Sequence, residues 1–178
     1  MQLTIGQKVA YPNQGVCLVE EFKEYTSGTR SISGYSLRVL NDNSTIFVPE
    51  QNAGSVGIRP LISSAQCKRL IDMLSQDFEP VSCDWKTRSR EFTERLRTGD
   101  IFQAAEVLKM LTFLSHEKKL SFREQTLLEK SKFLIISEIS NTHPKGHAPM
   151  EGEIICMIEA ACSKHVFTQP TVMAAAAS

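Results

Sequence analysis

Apolar positions over residues 1–60 recur in period two: Val16 with Leu18, then Tyr35, Leu37 and Val39, then Ile46 and Val48. Successive side chains of an extended chain point to opposite faces, so this alternation predicts half-buried strands. The expected strands are Gln7 to Tyr11, Val16 to Phe22, Tyr35 to Leu40 and Thr45 to Val48. Pro12-Asn13-Gln14-Gly15, Thr26-Ser27-Gly28 and Asn41-Asp42-Asn43 supply the turn chemistry between them. Several short strands in so few residues predict a small barrel, because closing a sheet removes its exposed edges. Gly54, Gly57 and Pro60 end the pattern.

From Ile62 the period becomes helical. Ser63 or Ser64 caps a helix with Leu70, Ile71 and Leu74 on one face, ending before Pro80. A second helix is expected from about Asp84 to Leu96, stopped by Gly99. Asp100 with Gln103 and Ser121 with Glu124 resemble capping boxes for two further helices. The first carries a stripe of Ile101, Ala104, Ala105, Leu108 and Leu111, and the second runs to about Ile139. After Pro144, Gly146 and Pro149, a last amphipathic helix is expected near Glu151 to Lys164. The reading is an α+β chain: a β module over 1–60, an all-α module over 61–168 and a disordered tail over 169–178.

Composition narrows the class. Of 178 residues, 42% are hydrophobic and 22% charged, as in globular proteins, and no apolar run approaches a membrane span. The N-terminus lacks a basic region followed by a long apolar stretch, so the expectation is a soluble cytoplasmic protein with no membrane partner. Five scattered cysteines without a Cys-x-x-Cys argue for reduced thiols rather than a disulfide framework.

Lys plus Arg and Asp plus Glu each total 20, yet the distribution is uneven. Within Trp85 to Thr98, Lys86, Arg88, Arg90, Arg95 and Arg97 face only Glu91 and Glu94, and the chain's one tryptophan opens the segment. An aromatic ring among cations suits DNA, whose phosphates are neutralised with counterion release while a ring wedges at an unstacked step. The same residues also suit a core tryptophan followed by a solvated, ion-paired helix face. Lys118, Lys119 and Arg123 around Ser121 form a second basic group, equally readable as a soluble loop. His143, His147, Cys156, Cys162 and His165 have zinc-binding side chains, but the Cys-x5-Cys spacing is wide and awkward on a helix, so neither a metal nor a cofactor is expected. Nucleophile elbows, phosphate loops, metalloprotease motifs and dinucleotide fingerprints are absent from the sequence, and an enzyme is not expected.

Gly6-Gln7-Lys8-Val9-Ala10-Tyr11-Pro12 with Gln14-Gly15, then Val48-Pro49, then Gly54-Ser55-Val56-Gly57-Ile58-Arg59 follow a family pattern. In the second half the pattern continues through Trp85, Arg88 and Arg90, Leu96 to Asp100, Ala105-Glu106-Val107-Leu108 and Leu120-Ser121-Phe122 with Glu124. In order and spacing these resemble the CarD/CdnL family of bacterial transcription regulators, to about residue 165. The resemblance implies a Tudor-like N-terminal β-barrel that docks on the RNA polymerase β subunit, a module shared with the transcription-repair coupling factor. It also implies a helical domain that touches promoter DNA in the minor groove at the upstream edge of the bubble. By this resemblance Trp85 is the wedge, with Lys86, Arg88 and Arg90 as phosphate-contacting cations, and Arg97, Lys119 and Arg123 extend the DNA-binding set. The coupling factor's helicase motifs are missing, which favours an adaptor over a translocase.

Docking is assigned to Tyr25, Ile46, Phe47 and Val48, by strand-edge position and β-augmentation. Family members can carry arginine where this chain has Tyr25 and Phe47, so a more apolar contact is implied. The expected function is a regulator that stabilises the open complex, acting as a monomer and nucleoid-associated through polymerase. The alternative is a protein-only adaptor that docks on polymerase and recruits another protein without touching DNA.

Overall fold

In the computed structural model of the chain, residues 2–27, 30–76, 85–142 and 151–163 are described. Strands β1 (Lys8–Tyr11), β2 (Gly15–Ser27), β3 (Arg30–Val39), β4 (Thr45–Pro49) and β5 (Arg59–Pro60) form one antiparallel sheet in the order β4-β3-β2-β1-β5. Val9, Cys17, Val19, Tyr35, Leu37, Val39 and Val48 share its core face, which Leu3, Ala53 and Ile58 cover from the flanking segments. Asn13 and Gly15 take positive φ in the β1–β2 turn, and Asn43 does so after β3.

The sheet is open, which corrects the expected closed barrel. β4 and β5 lie at opposite edges and do not pair. β5 is two residues long and leads straight into the helical half, so it has neither the length nor the freedom to bend round to β4. The β2–β3 hairpin is longer than expected. The expected strands end at Phe22 and resume at Tyr35 around a turn at Thr26-Ser27-Gly28, yet the residues between continue the pairing from Lys23–Gly34 to Ser27–Arg30 as a ribbon reaching past the core. One extra residue, Glu20, sits between the pairs Val19–Leu37 and Glu21–Ser36. This bulge shifts the alternation of β2, so Phe22 lies on the core side opposite Tyr35 while Tyr25 lies on the outer face opposite Ile32.

Helices α1 (Ser64–Leu74), α2 (Trp85–Arg97), α3 (Ile101–Glu117), α4 (Phe122–Thr142) and α5 (Glu151–Ser163) follow. Ser63 caps α1 in a full capping box with Gln66. Gly99 has φ +76 and ends α2. Asp100 accepts from the Phe102 amide at 2.9 Å, while Gln103 meets Thr98 rather than closing a box. Ser121 and Glu124 do exchange hydrogen bonds as a box, and α4 continues three residues beyond its expected end. Leu70, Leu74, Phe92, Leu96, Leu111, Ile135, Ile139 and Ile154 form a second core among these helices. The buried Lys109 ammonium of α3 donates to the Met73 and Gln76 carbonyls, at the C-terminal end of α1 where the helix dipole favours a cation.

The C-terminal half of α4 also packs on the outer face of the sheet. Gly15 faces the Phe133 ring, the Val16 amide donates to Ser137, and Lys8 donates to Asn141 at 2.9 Å. Arg59 joins the halves. Its guanidinium forks onto Glu138 at 2.5 and 2.7 Å while its Nε donates to the Gly99 carbonyl, and Glu138 also accepts from the Ile62 amide. The proposed tail over 169–178 lies outside the described residues, and among these no helix is long and apolar enough to cross a membrane.

Candidate docking edge and cationic face

Beyond the reach of α4, the outer face of the sheet is exposed among the described residues. The Tyr25 and Phe47 rings meet edge to face with centroids 4.8 Å apart, and Ile32 is the cross-strand partner of Tyr25. Tyr25 and Ile32 are both about half exposed, at 51% and 46%. Phe47 can lie flat because Gly34 is beneath it: a Cβ there would come within 2.6 Å of the ring and 2.5 Å of the Val48 carbonyl oxygen. Beside this patch runs β4, whose outer edge has no strand partner among the described residues. Of the four expected docking residues, Tyr25 and Phe47 are thus brought together on the surface. Val48 is buried and Ile46 packs on the sheet core, so these two offer a partner only their backbone. Sequence reading missed Ile32, because the expected strand began only at Tyr35 and the pairing of Ile32 with Tyr25 lies before it.

α2 divides its cations by depth. Phe92 and Leu96 face the core, and Lys86, Arg90 and Arg97, spaced by four and seven residues, fall on one exposed stripe. Arg97 faces Glu94 at 3.4 Å across an exposed i,i+3 pair, and Arg95 pairs with Glu106 of α3. Trp85 is the first residue of α2; its side chain lies outside the described part of the structure. Lys119 and Arg123 are exposed where α3 ends and α4 begins.

Arg88 does not belong to this surface. It is 3% exposed and binds Glu124 of α4 at 2.6 Å, so its guanidinium holds two helices together and is turned away from any phosphate. This corrects its expected role. Burial of Glu124 alone would raise its pKa, but the Ser121 amide, Arg88, the Ser121 hydroxyl and Lys118 outweigh that effect and hold the carboxyl at about 2. The pair fixes the start of α4 beside the start of α2.

The thiols offer no nucleophile in the sheet or in α1. Burial, with Asp42 adding to it, pushes Cys17 up to about 11, and burial with Glu138 raises Cys67. Cys156 is exposed on α5, whereas His143, His147 and His165 lie outside the described residues, as does the Cys162 side chain. Among the described residues no group of three or more His, Cys, Asp or Glu is placed to hold a metal.

An open sheet with an aromatic edge patch, joined by an arginine fork to a helical bundle that exposes a cationic stripe, defines a two-module binding protein. Comparison with known proteins places that class more closely. Residues 3–62 match the CarD-like/TRCF RID domain and residues 69–152 match the CarD C-terminal domain. The chain is 27% identical over 135 residues to the putative transcription factor YdeB of Bacillus subtilis (strain 168), covering 76% of this chain and 88% of that protein. It also matches the solution structure of the 72-residue N-terminal domain of Myxococcus xanthus CarD, with 32% identity, 33% of this chain and 79% of that one covered, and a TM-score of 0.28. The chain belongs to the CarD family and is a transcription-related regulator.

Proposed function

We propose that this regulator docks on the RNA polymerase β subunit through the β4 edge and the Tyr25–Ile32–Phe47 patch, and that its helical half holds the upstream fork of promoter DNA. The observation that carries this reading is the uncovered aromatic patch beside an unpaired strand edge, a surface able to accept a further strand and bury two rings. On the DNA side the Lys86, Arg90 and Arg97 stripe positions phosphates, with Lys119 just before α4 and Arg123 in its first turn nearby, and Trp85 wedges at bases already unstacked. A ring that binds the melted state better than the paired state shifts the equilibrium toward melting by that difference. Tethering through the sheet raises the local concentration of a weak DNA binder, which suits a chain of zero net charge.

The protein works without catalysis of its own, in the cytoplasm, as one copy per polymerase and with the nucleoid through that enzyme. The test is a pair of variants assayed on polymerase and promoter DNA. Tyr25→Ala with Phe47→Ala should abolish binding to the β subunit, and Trp85→Ala should shorten the open-complex lifetime while leaving β-subunit binding intact. The opposite pattern refutes the assignment. The withdrawal of Arg88 from the surface favours one competing reading, a protein-only adaptor. That reading requires no salt-dependent retardation of forked DNA beyond polymerase's own.

A further inference from the structure

Phe122 is 91% exposed, far more than any other large apolar residue among the described residues. It is the first residue of α4, after the Ser121 cap. The capping device does not need it: a hydrophobic staple would use the residue before the cap, Leu120, which already packs on the helical core. Glu124, two positions on, is buried against Arg88, and that spacing turns Phe122 to the opposite side of the helix. Side chains of a first turn lean toward the N-terminus, so the ring projects off the end of the bundle.

That end carries cations. Lys118, Lys119 and Arg123 flank the ring in sequence, and the Arg88–Glu124 pair brings the start of α2, with exposed Lys86, alongside. Against them stands Glu117, while Glu124 is matched by Arg88 and Lys118. A bare ring set among cations complements a polyanion whose flat apolar faces are accessible. Duplex DNA offers the phosphates but hides its base faces in the stack; single-stranded DNA offers both.

Resting on the DNA reading above, we propose that Phe122 is a second stacking ring, and that the α2–α4 end of the helical half takes hold of unpaired bases of a single DNA strand. The ring supplies stacking, which tolerates any base, and the cations follow the backbone.

The experiment measures binding of the full chain to a labelled single-stranded oligonucleotide, a forked DNA and a duplex of equal length by fluorescence anisotropy. Phe122→Ala should weaken single-strand and fork binding about tenfold, as expected for loss of one stacked base, with less than about a twofold change on duplex. Phe122→Trp should restore binding. An unchanged melting temperature is expected for both variants, since the ring has no packing to lose. Equal loss on duplex and single strand overturns the proposal, as does no loss at all. So does Phe122-dependent binding to anionic lipid vesicles without binding to the oligonucleotide. Trp85→Ala separates the two readings. Fork binding that survives Trp85→Ala but not Phe122→Ala supports the second ring and removes the wedge. Fork binding that survives Phe122→Ala but not Trp85→Ala does the reverse.

Discussion

Glu124 accepts from Arg88, Lys118, the Ser121 amide and the Ser121 hydroxyl, and each of these favours its ionised form. Its pKa therefore falls from 4.5 to about 2 on folding, and protonation of the folded state must break the pair. The stability it contributes is fully present above pH 4.5 and is lost as pH falls toward 2, on the order of 2 kcal/mol after allowance for screening. Urea midpoints at pH 7, 4 and 3 should fall for the wild type, and Glu124→Gln should start lower and vary less. Gly34→Ala tests the other face: an added Cβ drives Phe47 and the Val48 carbonyl outward, so β-subunit binding should drop at least tenfold with a stability loss of about 1–3 kcal/mol. The cations were the least legible residues. Charge counted along the sequence placed Arg88 among solvent-facing groups, because only the fold shows that position 88 shares a face with Phe92 and that a carboxylate from α4 waits there. Lys109 lay hidden for the same reason: its partners are α1 carbonyls, which no side-chain pattern reports.

The exposed stripe on α2 spans eleven steps of helix from Lys86 to Arg97, about 16 Å, enough to track several phosphates of one strand. Replacing Arg90 by Ala should weaken binding to all sequences alike and lower the slope of log K against log salt by about 1, whereas Arg88→Met should leave the slope unchanged. A slope that responds to Arg88 and ignores Arg90 would contradict the surface assignment. Helices were read closely from sequence because caps and stops are local: Ser63, Gly99 and Ser121 each act where the sequence puts them. Strands were read less well. The far half of the β2–β3 ribbon has polar residues on both faces, which carry no alternation, and the Glu20 bulge breaks the period that does exist. Closure of the sheet depends on the lengths of β4 and β5 and on what holds β5, none of which is encoded locally.

Two cores, one under the sheet and one among the helices, meet across a junction made by the C-terminal half of α4 on the sheet and by side chains reaching between the halves. Arg59 is the most heavily engaged of these, with Glu138 on one side and the Gly99 turn on the other. Lysine cannot reproduce its planar fork, so Arg59→Lys should cost about 2–3 kcal/mol and broaden the distance between labels placed on β3 and on α2, read by single-molecule energy transfer. An unbroadened distance distribution would show that the α4 contacts alone set the angle. From Ser137 against the sheet to Phe122 at the free end, α4 runs fifteen helical steps, a rod of about 22 Å. On the proposed reading the protein is a pair of callipers with a locked joint. Its reach is set by a helix rather than by base identity, so it would act wherever the enzyme parts the strands at that distance, whatever letters lie there.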